Sequence, residues 1–145
     1  MADRHREVAD KIEELLTDNL SGFPYDEIRV RDYVDSEPLS EGITISPTGE
    51  TELTGTNERD DIEYVTTIVR STHALNSDDL SQKSHFRDQL RRIFHHKRIN
   101  IDNTCVTYNR METGQFAIPE AWTRNNNSVT VVRIMSTVRE SRDNP

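Results

Sequence analysis

Cysteine is nearly absent from this chain: Cys105 stands alone among 145 residues. A single thiol excludes an internal disulfide framework and any zinc site built on cysteines. Long apolar runs are missing too. None approaches the roughly 18 residues that a membrane-spanning helix needs. The opening MADRHREVADK is too polar for a secretory leader, so a soluble, intracellular product without membrane contact is expected. Lysine is scarce, with only Lys11, Lys83 and Lys97 among 18 basic residues. An acidic, arginine-rich chain of this kind suits a high-salt or GC-rich source.

Apolar bulk is also thin. Hydrophobic residues make up 32% of the chain and charged residues 30%. Leu, Ile, Val and Phe together number 33, or 23%, just above the ~20% below which a highly charged chain stays disordered. Such a chain folds around a small core, and partner subunits commonly supply the missing burial. Self-assembly is therefore expected. The net charge of −8 argues against a nucleic-acid-wrapping surface, which needs a basic footprint.

Catalytic signatures are absent. There is no HExxH, no glycine-rich phosphate loop and no GxSxG elbow. His95 and His96 are adjacent, and on a helix they would point about 100° apart and share a metal poorly. His73 and His85 have no partner at ligand spacing. Cys105 falls in an expected strand and reads as an inert buried thiol. No enzyme activity, cofactor or metal is expected.

What the chain does have is a dense β segment at residues 61–73, DIEYVTTIVRSTH. Ile62, Tyr64, Thr66 and Ile68 fall on one face and Val65, Thr67 and Val69 on the other, the period of a strand. Bulk on both faces predicts a central strand covered on both sides. Residues 4–20 predict an amphipathic helix through Val8, Ile12, Leu15, Leu16 and Leu20, with Asp3 as cap and Gly22 as stop. Residues 27–33 and 42–46 predict strands. Residues 47–60, PTGETELTGTNERD, hold one large apolar residue, Leu53, and predict a mobile loop whose tip could form a short hairpin. Its functional reading is a docking arm onto a neighbour.

A second helix is expected from the Ser77–Asp78–Asp79 cap to Arg98, buried along Leu80, Phe86, Leu90, Ile93 and Phe94. Lys83, Arg87, Arg91, Arg92, Lys97 and Arg98 give it a basic outer face. That face either complements the helix dipole or meets acidic surface on a partner, such as the first helix of a neighbouring copy. DNA phosphate is a weaker match because no aromatic interleaves the charge. Two short alternating runs follow within residues 98–108, then an irregular segment at 111–127 carrying Trp122, a closing strand at 128–138, and a frayed tail at 139–145. No repeat or low-complexity segment interrupts this single domain, so the fold expected is α+β, a mixed, mainly antiparallel sheet packed by two helices. The candidate interface residues are Lys83, Arg87, Arg91, Arg92, Glu50, Glu52, Leu53 and Trp122.

The element order, with ITISP before a polar loop, then DIEYVTTIVRST, FRDQLRRIF and a closing SVTVVRIMSTV, resembles the tail terminator proteins of long-tailed bacteriophages and their archaeal counterparts. The resemblance spans roughly residues 8–138 and lies in the pattern of elements. It implies a virion protein assembled in the host cytoplasm. Its copies would form a ring, a hexamer in that family, at the tail–neck junction. The ring ends tail-tube elongation and joins tail to head. Its partners would be itself, the tail tube protein and a neck or head-completion protein, with genomic DNA passing the lumen unbound. Two alternatives stay open: a head-closure (stopper) or other neck connector protein, and a small host protein-binding module.

Overall fold

The computed structural model describes residues 4–20, 28–30, 42–55, 59–72, 79–101, 106–112, 123–124 and 127–141. Its elements run α1 (Arg4–Asn19), β1 (Ile28–Val30), β2 (Gly42–Gly55), β3 (Arg59–Thr72), α2 (Asp79–Phe94), β4 (Lys97–Asn100), β5 (Val106–Met111), β6 (Thr123–Arg124) and β7 (Asn127–Ser141). Among the described residues the strands form one sheet in the order β1-β2-β3-β7-β5-β4, with β6 paired to β7. Only β1 and β2 run parallel; every other pairing is antiparallel. The expected α+β class, with a mixed and mainly antiparallel sheet, is the observed one.

The core lies on one face of that sheet. Register places Ile43 and Ile45 of β2, Ile62, Tyr64 and Ile68 of β3, and Val132, Ile134 and Val138 of β7 on the same side. Against them pack Val8, Ala9, Ile12 and Leu16 of α1, and Phe86, Leu90 and Phe94 of α2. Each fully buried Leu, Ile or Phe side chain contributes about 1.5–3 kcal/mol relative to exposure. Both helices therefore cover the same face, while Glu63, Thr67 and Met135 are buried on the other. The opposite face carries Thr67, Glu63, Met135 and Arg110, with Val65 and Val69 half-buried. No helix among the described residues packs there. β-branched residues on both sides of a strand reflect β-propensity as well as burial.

Residues 47–55 and 59–60 are strand, not the expected loop. β2 continues to Gly55 and β3 begins at Arg59, with Glu50 opposite Tyr64 and Glu52 opposite Ile62. Register shifts at Pro47/Gly49 and Glu52/Thr54 make bulges at Thr48 and Leu53, each adding one unpaired residue and extra twist. Thr48 Oγ1 lies 2.8 Å from Thr67 Oγ1 across the first of them. Residues poor in apolar bulk form strand here because the long β3 supplies a ready ladder, and cross-strand pairs do the stabilising. The first three residues of the expected frayed tail are strand as well, and 142–145 lie outside the described residues. Arg139, Glu140 and Ser141 pair with Asp61, Asp60 and Arg59.

α2 stops at Phe94 rather than Arg98. His96 has φ 58°, the left-handed conformation that closes helices. The His95 N–H still reaches the Arg91 carbonyl at 2.9 Å, while the His96 N–H turns to the Asn109 carbonyl at 2.9 Å. Lys97 and Arg98 then leave as β4. The caps expected at Asp3, Gly22 and Ser77, Cys105, and most of the segment at 111–127 lie outside the described residues.

Candidate interaction surfaces

The first surface is a ribbon. A strand of 14 residues spans about 46 Å, whereas a 16-residue helix spans about 24 Å. Toward Gly55, Arg59 and Ser141, β2, β3 and β7 pair only with one another among the described residues. β1 reaches only Ile43–Ile45 of β2, and β5 reaches only Ile134–Thr137 of β7. Glu50 and Glu52 are exposed on the ribbon, and Leu53 is 51% exposed at the second bulge. Glu50 faces His5 of α1, Oε2 to Nε2 at 3.5 Å, and the His5 ring stands edge-on to Tyr64 at 4.6 Å. These contacts tie the base of the ribbon to the start of α1.

Ion pairs run along the other face. Arg110 Nη2 donates to Glu63 Oε2 at 3.0 Å, and Arg133 Nη1 to Glu112 Oε2 at 3.1 Å. Arg139 Nε donates to Asp61 Oδ1 at 2.9 Å. The Arg139 guanidinium is held above its ordinary value by that hydrogen bond, then by the Asp61 charge.

The second surface is the corner where α2 gives way to β4. Arg91 and Arg92 are exposed on the last turn of α2, and Lys97 and Arg98 are exposed on β4. Arg92 Nη2 contacts Asp88 Oδ2 at 3.1 Å. Arg87 does not belong with them. It is only 8% exposed, and its Nη2 donates to the Glu112 carbonyl at 2.7 Å. Burial, then Arg91, lowers its guanidinium from the ordinary value, with Glu112 acting the other way. The expected basic stripe is therefore split, because position 87 shares a face with Leu90 and Phe94 (spacings of three and seven). Lys83 lies in α2, with its side chain outside the described residues, and Trp122 lies outside them altogether.

Two residues at the corner escaped the sequence reading. Tyr108 is 42% exposed, directly opposite Arg98, with its hydroxyl 2.6 Å from His96 Nδ1. An aromatic therefore does interleave the charge, placed there by pairing between strands. His95 and His96 lie beyond the helix, their rings 3.9 Å apart, so the helical 100° separation does not apply. His95 Nδ1 accepts the Met111 N–H at 3.0 Å, which fixes its proton on Nε2. Burial, then His96, Arg91 and Arg110, hold His95 below the ordinary imidazole value.

Among the described residues, no group of three His, Cys, Asp or Glu side chains is placed to hold a metal, and no helix is long and apolar enough to cross a membrane. What the two surfaces can do chemically is present charge and apolar area to another macromolecule. No protein-family model and no curated protein matches the chain.

Proposed function

We propose that this chain is a structural virion subunit. Identical copies form a ring at the tail–neck junction that ends tail-tube elongation and joins tail to head. The observation that carries this reading is the three-stranded ribbon. Among the described residues its distal end has no outer neighbour on the β2 side, and the ribbon's exposed Leu53 and acidic side chains suit contact with a neighbour. Low apolar content points the same way, since neighbouring copies complete the burial a small core lacks. The resemblance to tail terminators rests on the order helix, strand, short strand, polar loop, long strand, basic helix and closing strand, of which the polar loop is strand here as far as Gly55. An excess of carboxylates also suits a lumen through which DNA passes without being retained, because like charges repel.

The test is the mass of the purified protein by light scattering, followed by negative-stain imaging. Annular particles of several copies are expected; a monomer at every concentration would refute the reading. A head-closure or other neck connector protein differs only in partner. Co-purification with tail tube protein supports the terminator, and co-purification with the portal complex supports the connector.

A further inference from the structure

Among the described residues two large apolar side chains are strongly exposed, Leu53 and Tyr108. Their surroundings are opposite in charge. Leu53 follows Glu50 and Glu52 on an acidic ribbon, whereas Tyr108 sits opposite Arg98, with its hydroxyl on His96. They also lie toward opposite edges of one sheet. Tyr108 is level with Thr137, Glu63 and Thr51 in successive strands. Three strand spacings, about 14 Å, therefore separate it from β2, and a paired sheet cannot fold Leu53 onto its own Tyr108.

The distal half of β2 has no outer neighbour among the described residues, and β4 ends the sheet on the other side. Backbone pairing through the β2 edge is blocked, since Pro47 lacks an N–H and two bulges break the ladder. Contact at that edge must go through side chains.

We infer that the Leu53 ribbon of one copy docks onto the Tyr108 corner of the next, Glu50 and Glu52 meeting Arg98 around an apolar Leu–Tyr contact. The inference rests on the ring reading and names the surfaces that close it. The contact joins unlike patches, so repeating it carries the chain of copies forward, and it closes into a ring where the rotation permits. The partner is a second copy of this chain because it alone is known to supply both halves at equal numbers, and because a net charge of −8 disfavours nucleic acid at the same corner.

Cysteine pairing tests this directly. In a Cys105→Ser background, Leu53→Cys combined with Tyr108→Cys is expected to give a ladder of disulfide-linked oligomers on mild oxidation. Mixing the two single variants is expected to give covalent dimers, and neither single variant alone links. A second measurement guards against pairs that meet slightly out of disulfide range. Arg98→Glu is expected to reduce the assembled fraction at least tenfold, and Glu50→Arg with Glu52→Arg in the same chain to restore it. A ring by light scattering that shows neither linkage nor charge sensitivity overturns this contact and leaves the ring standing. Linkage by Leu53→Cys alone overturns it in favour of a two-fold contact. A short single-stranded oligonucleotide held by the corner in place of a second copy overturns it too, and a monomer at every concentration overturns both contact and ring.

Discussion

Asp61 and Arg139 stand directly opposite each other in β3 and β7, joined by a hydrogen bond of 2.9 Å from Arg139 Nε to Asp61 Oδ1. The residue before Arg139, Val138, is fully buried in the core, and beyond it backbone pairing and this guanidinium hold the end of the closing strand. Replacing Asp61 with Asn is expected to speed amide exchange at Arg139–Ser141 severalfold while the melting temperature of the whole chain stays within about 2 °C, since exposed ion pairs contribute little to global stability. Hydrogen exchange followed by mass spectrometry gives both readings; protection unchanged at those amides would show that the pair does not anchor the strand.

Phe86 is fully buried between α2 and the sheet, with the Arg70 guanidinium carbon 5.6 Å from its ring centre. Phe86→Ala removes a large side chain from a small core and is expected to cost about 3–5 kcal/mol. A chain of this size has only about 5–15 kcal/mol to lose. Urea titration should show a lower midpoint with little change in slope.

Arg87 and Arg91 are four residues apart on one helix yet should behave differently. Arg87→Met removes the donor to the Glu112 carbonyl from a buried side chain and is expected to destabilise the fold by about 1–3 kcal/mol. Reversing the exposed Arg91 and Arg92 to Glu is expected to leave the unfolding midpoint nearly unchanged but weaken self-association, more so at low salt. Denaturation and light scattering on the same samples separate the two effects. Equal loss of stability from both variants would mean that the corner is part of the core.

His95 predicts an acid-sensitive corner. Its folded value lies below the ordinary imidazole value of 6.5, first through burial and then through His96, Arg91 and Arg110. The unfolded chain therefore takes up the proton first. The stability this group contributes is whole above pH 6.5 and is lost as pH falls through the folded value. Protonation also turns Nδ1 from acceptor to donor against the Met111 N–H. Tyr108 and His96 face the same turn, so the informative quantity is a difference. His95→Asn keeps an acceptor near Nδ1 and cannot ionise. Between pH 7 and 5 its urea midpoint should fall less than that of the unaltered chain, and parallel curves would remove His95 as the cause.

Both helices were legible because their apolar spacing is local. Val8, Ile12 and Leu16 repeat within one segment, as do Phe86, Leu90 and Phe94, and a reader needs no other part of the chain to see a buried stripe. Strand β3 was legible for the same reason, through Ile62, Tyr64 and Ile68. The basic character of α2, the exposure of Leu53 and the α+β class also followed from segments read singly.

What lay beyond the sequence was everything decided by a partner strand or a packed neighbour. Glu50, Thr51 and Glu52 carry no burial signal of their own, and they are strand because β3 lies beside them. Arg139 is strand because Asp61 faces it. Position 87 reads as one more basic residue until the fold turns it toward Glu112, and His95–His96 reads as helix until the Asn109 carbonyl takes the His96 N–H. Tyr108 joins Arg98 only through pairing of β4 with β5. Periodicity determines which face of an element is apolar, because that depends on neighbours three or four residues away. Which edges stay open, and which charges share a surface, depends on residues tens of positions apart, and only the closed sheet brings those together.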